Sequence, residues 1–317
     1  MNDVAGIFYP TFQPGTPVRG SVYLSTKTLL TFARTLFLTA YSIPPFANTM
    51  SDKKITPRVF IIRHGETEWS LNGRHTGTSD IPLTTNGEKR IRATGNALVG
   101  DDRLIVPRNL AHIYVSPRTR AQRTLELLNL GCKDPMPWKP DQQHDDSNVK
   151  TAAKVQVTES VREWDYGDYE GLTSKYIAEQ RQKAGQHKWD IWKDGCPGGE
   201  SPEQITERLD AVIAEIREKY HKNAIGKPQP QAEPYDVLIV AHGHILRAFA
   251  ARWINKNIAD NPSMLLDAGG VGTLRYVVLC GNEGVVLIAF ADFLTTATSI
   301  IVSMSRLSCW EVDSWWT

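Results

Sequence analysis

Cysteine is scarce in this chain, and the few cysteines are far apart. The 317 residues include four, Cys132, Cys196, Cys280 and Cys309, with no Cys-x-x-Cys pair and no clear secretory signal ahead of them. This spacing argues against a disulfide framework. We therefore predict a reduced compartment and a cytoplasmic protein, with a nuclear share left open.

The chain also has no marked excess of charge of either sign. With 36 basic and 35 acidic residues, the formal net charge is +1. This balance leaves no global electrostatic footprint for nucleic acid or for an anionic membrane. We therefore expect neither as a partner, and any recognition of an anion must be local.

A long uninterrupted apolar run is also absent. The run 285–302 comes nearest, but Asp292 lies inside it among several Thr and Ser residues. An aspartate at the centre of a membrane helix costs about 2.5 to 3.5 kcal/mol, against a few tenths gained per Leu or Ile. The run therefore predicts a final strand followed by a tail.

The two ends of the chain differ from its middle. Residues 1–49 carry Arg19, Lys27 and Arg34 against a single acid, Asp3, and are rich in Ser and Thr. That composition fits a mitochondrial presequence or a disordered extension, and we favour the extension. We predict an N-terminal extension at 1–49, one domain at 50–294 and a C-terminal tail without an assigned role at 295–317.

Short β-rich runs alternate with helical patterns from Pro57 onward. Such alternation is typical of βαβ units, in which helices cover both faces of a largely parallel sheet. The sequence predicts an α/β fold, a three-layer α/β/α sandwich with a mostly parallel central sheet. Strands are expected near 59–63, 113–116, 155–158, 237–242 and 273–278.

One helix start is well marked. Ser201 is a suitable N-cap, Pro202 suits the first helical position, and Gln204 completes a capping box. The buried stripe of this helix is predicted to be Ile205, Leu209, Val212, Ile213 and Ile216.

Two histidines follow apolar strands. Arg63-His64-Gly65 follows the run 59–62, and His242 follows the run 237–240. In an open parallel sheet the ligand site lies beyond the carboxyl ends of the strands, so we expect one shared pocket. An arginine can grip a phosphate while a neighbouring imidazole attacks it, which is nucleophilic catalysis without a metal. The alternative is that both are hydrogen-bonded core histidines.

Two further segments carry polar groups that suit this pocket. Gly65 permits close approach of the backbone, while Thr67 and the loop 73–77 can supply hydroxyl and N–H donors. Arg120, at the start of a helix after the second strand, can point into the same pocket. Solvated side chains are expected for Arg108, Arg118 and Arg123.

The run 162–171 mixes carboxylates with aromatic residues after the third strand. Aromatic walls can desolvate a carboxyl group and raise its pKa, as a general acid near neutral pH requires. In the segment 241–247, His242 at the strand end is the better site candidate. His244 is expected to be structural, capping or packing at the start of the next helix.

These four segments, in this order, resemble the histidine phosphatase (phosphoglycerate mutase-like) superfamily from about Pro57 to Val278. The run 162–171, together with 192–196 and 266–270, is similar to the fungal sedoheptulose-1,7-bisphosphatase branch. The resemblance implies a metal-independent phosphatase without a cofactor. Its substrate would be a sugar bisphosphate, sedoheptulose 1,7-bisphosphate or fructose 1,6-bisphosphate.

The resemblance also implies a role for individual residues. His64 would be the nucleophile that becomes phosphohistidine, and Glu163 the proton donor. A cationic cradle around the phosphoryl group would be formed by Arg63, Arg120 and His242. Contacts with the sugar or its second phosphate would come from His75, Thr76, Tyr166 and Arg247, and the ligand-binding set also includes Thr67 and Gly243. Ser70 departs from mutase relatives, which usually carry asparagine there.

These roles make physical demands on two side chains. His64 must be neutral to attack, and a hydrogen bond from Nδ1 to a backbone carbonyl would leave Nε2 free. Glu163 must instead keep its proton, which apolar neighbours and the phosphate dianion favour. After protonating the leaving oxygen, Glu163 becomes the base for water.

Four alternatives stay open at this point. A mutase-type phosphotransferase would share the nucleophile, and a broad-specificity phosphatase would share the whole mechanism. A metal-dependent hydrolase could use His64, His242 and His244, although their spacing matches no His-rich metal signature. A non-catalytic scaffold protein would be expected to have lost at least one catalytic residue, yet all of the candidate catalytic residues are present. A homo-oligomer is also left open.

Overall fold

The computed structural model describes residues 54–141, 146–228, 233–260, 264–279 and 283–291. The predicted extension at 1–49 and tail at 295–317 therefore lie outside the described residues. So does the second part of the apolar run 285–302.

A six-stranded sheet forms the centre of the domain, with strand order β3-β2-β4-β1-β5-β6. Parallel pairs join β3 to β2, β2 to β4 and β4 to β1, whereas β5 pairs antiparallel with both β1 and β6. The mostly parallel sheet is thus confirmed, as are the five predicted strands and the final one. The strands are β1 Arg58–Arg63, β2 Leu110–Val115, β3 Lys154–Val157, β4 Asp236–Ala241, β5 Val271–Leu279 and β6 Glu283–Ala291.

Seven α-helices connect these strands in the described part of the chain. They are α1 Glu68–Asn72, α2 Thr85–Leu98, α3 Thr119–Leu127, α4 Ser174–Lys183, α5 Ile191–Asp194, α6 Pro202–Ile216 and α7 Gly243–Trp253. The helix predicted after Ser201 is α6. Its capping box between Ser201 and Gln204 is present, and the five residues of its predicted stripe are buried.

The sheet separates two apolar cores because side chains alternate along each strand. On β1, Val59 and Ile61 face a core that also contains residues of α6 and α7. Phe60 and Ile62 face the other core, which contains residues of α2 and α3. Helices therefore cover both faces, and the predicted three-layer α/β/α sandwich is confirmed.

No helix in the described ranges has both the length and the apolar character needed to cross a membrane.

Candidate active site

The carboxyl ends of three neighbouring parallel strands place three polar side chains together. Ser116 follows β2, His242 follows β4 and His64 follows β1, and these strands are adjacent in the sheet. The ring centroids of His64 and His242 lie 5.0 Å apart. The structure therefore brings both strand-end histidines into one place, as parallel strand geometry requires.

His64 is held in one tautomer. Its ring is buried, and Nδ1 donates to the carbonyl oxygen of Gly65 at 2.7 Å. Since a carbonyl can only accept, the proton lies on Nδ1 and the lone pair on Nε2. Burial lowers the pKa of His64 well below its ordinary value, and the charges of Arg120 and Arg63 lower it further. At neutral pH His64 is an uncharged imidazole whose Nε2 can act as a nucleophile.

His242 is held in the opposite tautomer. The Nε–H of Arg120 donates to Nδ1 of His242 at 3.2 Å, and an arginine can only donate. The proton of the ring is therefore on Nε2, which donates to Oγ of Ser116 at 2.6 Å. Burial, followed by the charge of Arg120, lowers the pKa of His242 well below its ordinary value.

This geometry corrects one prediction about the cradle. The sequence predicts His242 as one of three cations, but the structure makes it a neutral imidazole between Arg120 and Ser116. The positive charge comes from the arginines. Sequence reasoning missed Ser116 as a partner, although its position directly after β2 carries the same signal as the two histidines.

Arg120 is completely buried and is positioned by a surface loop. Its guanidinium donates to the carbonyl oxygens of Ser79 at 2.8 Å and Thr76 at 3.0 Å. The Glu170 carboxylate holds that loop by accepting from the amides of Gly77 and Ser79, each at 2.9 Å. These two amides, one of them in the predicted donor loop 73–77, are thus used within the protein.

Arg63 lies over the start of α7. Its Nη1 donates to the carbonyl oxygen of Leu266 at 2.9 Å. Within the part of the chain that the structure describes, its buried Nε has no hydrogen-bond partner. A Cβ atom at Gly243 would lie 3.3 Å from Cζ of Arg63, so the glycine leaves room for the guanidinium. Arg63 thus keeps a donor that suits an anionic ligand.

Glu163 is a buried carboxyl group at the amino end of α7. Its Oε1 accepts from the amides of Trp164 at 3.0 Å and Ile245 at 2.9 Å, and its Oε2 accepts from the amide of His244 at 3.1 Å. Burial raises the pKa of Glu163 even though these amides and Arg120 act in the opposite direction. The side chain can therefore hold a proton at a pH where an ordinary glutamate is ionised.

The rings of Tyr166, His244 and His75 form a wall, here called the ring wall, that continues from Glu163. The Tyr166 hydroxyl is hydrogen-bonded to Nδ1 of His244 at 2.7 Å, and the rings of His75 and Tyr166 are 4.8 Å apart. Nε2 of His75 shares a 3.1 Å hydrogen bond with Oγ of Ser174. His244, expected to cap or pack at the helix start, supplies its amide to Glu163 and its ring to this wall.

Arg247 lies against the same region. Its Cζ is 4.9 Å from the centroid of the Trp192 ring, a cation–π contact. Burial and then the charge of Arg63 lower the pKa of Arg247. The two arginines are therefore close enough to affect each other, and both lie beside the start of α7.

Thr67 and Ser70 bond to each other. Oγ1 of Thr67 accepts from the amide of Ser70 at 3.1 Å, and the amide of Thr67 donates to Oγ of Ser70 at 2.9 Å. This capping box starts α1 and gives the departure at Ser70 a local structural role. Contact of Thr67 with a ligand stays a prediction. Thr76 directs its hydroxyl to the carbonyl of Arg74 at 3.2 Å, while its own carbonyl holds Arg120.

The three arginines expected to be solvated behave differently. Arg108 is exposed and pairs with Asp101. Arg118 is half-buried, and its Nε donates to the carbonyl of Gly77 at 3.2 Å. Arg123 is also half-buried, and its partly exposed side chain pairs with Glu88 and Glu126.

A cavity of about 710 Å³ opens next to the ring wall, between α4 and α5. His75 and His244 belong both to its lining and to the ring wall. Its lining also includes Ser174, His187, Lys188, Trp189, Asp190, Trp192, Lys193 and Asp194. A second groove, of about 420 Å³, lies along α6 and contains none of the site residues. In the described ranges, no group of three His, Cys, Asp or Glu side chains could hold a metal ion.

The fold and this site define a class of enzyme. The sequence profile of the histidine phosphatase superfamily (branch 1) matches residues 59–278. The chain belongs to that superfamily and is a phosphatase.

Two curated proteins and one solved structure are similar to this chain. The chain is 35% identical over 257 residues to sedoheptulose 1,7-bisphosphatase of Saccharomyces cerevisiae, with 70% of this chain and 88% of the yeast protein covered. It is 31% identical over 226 residues to an acid phosphatase of Mycobacterium tuberculosis, covering 71% of this chain and 87% of that protein. The solved structure titled "Mycobacterial hydrolase 1" superposes with a TM-score of 0.53 at 22% identity, covering 70% of this chain and 93% of that one. That structure supports the fold alone.

Proposed function

We propose that this enzyme removes one phosphate from a sugar bisphosphate through a phosphohistidine at His64. The observation that carries the proposal is the state of His64, a buried and uncharged imidazole. Its Nδ1 is bonded to Gly65, and its Nε2 has no hydrogen bond to any of the described residues. The guanidinium groups of Arg63 and Arg120 lie close enough to lower its pKa. Such an imidazole is an activated nucleophile beside groups that attract a phosphate.

The first step transfers the phosphoryl group to the protein. The Nε2 lone pair of His64 forms a bond to phosphorus while the ester P–O bond breaks. The electron pair of that bond stays on the sugar oxygen, which takes the proton of Glu163. Arg63 and Arg120, with His242 beside them, stabilise the charge that is spread over the equatorial oxygens in the transition state.

The second step releases phosphate. Water forms a bond to phosphorus and gives a proton to the Glu163 carboxylate, while the P–N bond breaks and its electron pair returns to Nε2 of His64. Glu163 ends the cycle protonated and His64 neutral, so both groups are ready for another substrate. Neither step uses a metal ion or an organic cofactor.

The substrate we propose is sedoheptulose 1,7-bisphosphate, with fructose 1,6-bisphosphate as a second substrate. The similarity to the yeast enzyme supports this choice, because it extends over 88% of that protein. One further arginine near the reaction centre, Arg247, would suit a doubly phosphorylated ligand. His75, Thr76, Tyr166, Thr67 and Gly243, with Arg247, are proposed to contact the sugar or its second phosphate.

A screen for phosphate release tests this proposal. Wild-type enzyme and His64→Ala are incubated, with a chelator present, with sugar bisphosphates, sugar monophosphates and phosphoglycerates. We expect the highest kcat/KM on the two sugar bisphosphates and no turnover by the variant. Similar rates on every ester would indicate a broad-specificity phosphatase, and isomerisation of 3-phosphoglycerate with slow hydrolysis would indicate a mutase. Either result overturns the bisphosphatase assignment.

A further inference from the structure

We infer that the cavity between α4 and α5 binds the sugar body of the substrate, with Trp189 as the platform under its C–H face. The inference rests on the proposed function, since it assigns the part of the ligand that is not phosphate. It goes beyond the predicted ligand contacts, which do not include Trp189.

Aromatic rings connect this cavity to the reaction centre. The Trp189 ring lies 5.3 Å from that of His75, which lies 5.9 Å from the ring of His244. The backbone amide of His244 holds Glu163, the proposed proton donor. A ligand whose leaving oxygen is at Glu163 would therefore extend along the rings towards Trp189.

The wall presents uncharged ring faces. Burial lowers the pKa of His75 to about 4 and that of His244 well below its ordinary value, so both rings are neutral at pH 7. The C–H groups of a sugar carry a slight positive charge and are attracted to the negative face of an aromatic ring. Neutral rings therefore suit a sugar face better than a charged wall would.

The remaining lining is polar but balanced in charge. The lining contains two lysines, Lys188 and Lys193, and two aspartates, Asp190 and Asp194. Nζ of Lys193 is 3.7 Å from Oδ2 of Asp190. Asp194 pairs with His187 at 3.0 Å. Such a lining offers donors and acceptors to hydroxyl groups without a surplus of positive charge for a second phosphate. The chemistry of the cavity thus matches a polyhydroxylated chain.

Trp189 is fixed before any ligand arrives. Its Nε1 donates to the carbonyl oxygen of Gly195 at 2.7 Å, and its ring packs against Tyr169 with centroids 4.9 Å apart. The side chain is half-buried, so one part of the ring remains open. A rigid ring needs little ordering upon binding, and this reduces the entropic cost of the contact.

Binding measured without turnover tests the inference. In the His64→Ala background, Trp189→Ala, Trp189→Phe and the remote control Trp138→Ala are titrated by calorimetry with sedoheptulose 1,7-bisphosphate and with inorganic phosphate. We expect Trp189→Ala to raise the Kd for the sugar bisphosphate about tenfold. The Kd for inorganic phosphate should change less than about twofold, and the other two variants should bind like the background protein.

Three outcomes would overturn the inference. Unchanged binding of the bisphosphate by Trp189→Ala would mean that the ring does not touch the sugar. An equal loss for both ligands, or the same loss in Trp189→Phe, would mean that the indole only supports the loop through Gly195. Failure of wild-type enzyme to release phosphate would instead contradict the proposed function, and that is measured separately.

Discussion

Arg120 donates its Nε–H to Nδ1 of His242 across 3.2 Å, in a part of the site that no solvent reaches. This hydrogen bond decides where the histidine carries its proton. It also explains how the loop that holds Arg120 affects the site, because the carbonyls of Thr76 and Ser79 orient the guanidinium. A chain of buried hydrogen bonds therefore leads from the surface loop to Ser116.

Ser116→Ala tests that chain. The substitution leaves the Nε2–H of His242 without its present acceptor, and a buried unpaired donor costs about 1 to 3 kcal/mol. We expect kcat/KM to fall roughly tenfold to a hundredfold, with His242 free to turn. The control is Ser160→Ala, a partly exposed serine outside the site. If Ser116→Ala keeps the wild-type kcat/KM, the hydrogen bond has no role in the reaction.

Glu163→Gln separates the two chemical steps. The amide cannot protonate the leaving oxygen or take a proton from water, and losing a general acid–base group costs about 10² to 10⁴ in rate. With p-nitrophenyl phosphate, whose leaving group needs little protonation, we expect phosphorylation to be less affected than hydrolysis. Rapid-quench kinetics should then show a burst and an accumulated phosphoenzyme.

The matched control for this substitution is Glu159→Gln, an exposed glutamate four residues earlier. It should retain the wild-type rate of both steps. Equal slowing of both steps in Glu163→Gln, without a burst, would show that Glu163 does not act as the base for water.

The pH dependence follows from the direction of two pKa shifts. Neutral His64 is required, and since its pKa is lowered, activity rises with pH in a range below its ordinary value of 6.5. Protonated Glu163 is also required, and since its pKa is raised, activity falls with pH in a range above 4.5. We expect a bell-shaped profile of kcat/KM, with an acid limb that belongs to His64 and a basic limb that belongs to Glu163.

Glu163→Gln assigns the basic limb of that profile. The second pKa of a phosphate ester, near 6, lies in the same region and would remain in the variant. If the basic limb moves or flattens in Glu163→Gln, the limb belongs to the glutamate. An unchanged limb would assign it to the substrate alone.

Stability should fall in acid because His221 is buried and neutral. Burial, with the charge of Arg217, lowers the pKa of His221 to about 3, and its Nδ1 is hydrogen-bonded to the Tyr276 hydroxyl. The unfolded chain takes up a proton near pH 6.5 while the folded protein does not, so folding stability is lost as pH falls below that value. At pH 5 the protonation of this residue in the unfolded chain alone lowers the free energy of unfolding by about 2 kcal/mol.

His221→Gln provides the measurement. The free energy of unfolding is determined by urea titration at pH 7.5 and pH 5 for both proteins. The decrease in the free energy of unfolding from pH 7.5 to pH 5 should be smaller in the variant by about 2 kcal/mol. This difference does not depend on how much the substitution changes stability at pH 7.5. An equal drop in the two proteins would show that His221 is already protonated or does not titrate.

Much of the site could be predicted because its placement follows from local patterns. Apolar runs followed by His64 and His242 predict two strand ends, and the topology of a parallel sheet then brings those ends together. The protonation of His242 could not be predicted in this way. It depends on which nitrogen of Arg120 faces the ring, a detail set by carbonyls of a distant loop.

The cavity could not be predicted from the sequence either. Trp189 lies in a short segment between α4 and α5 that has no periodicity, and its neighbour His75 is more than a hundred residues away in the chain. The antiparallel direction of β5 was also missed, because strand composition does not encode the direction of pairing. Contacts of these kinds form only when the helices pack on the sheet.

The most direct test of the account is to trap the phosphoryl group on the protein. Enzyme is mixed with a ³²P-labelled sugar bisphosphate, quenched in alkali during turnover and digested for mass spectrometry. We predict an acid-labile, alkali-stable phosphate on His64, which is absent from His64→Ala and still present in His75→Ala. A phosphate on any other residue, or full turnover by His64→Ala, would contradict the account.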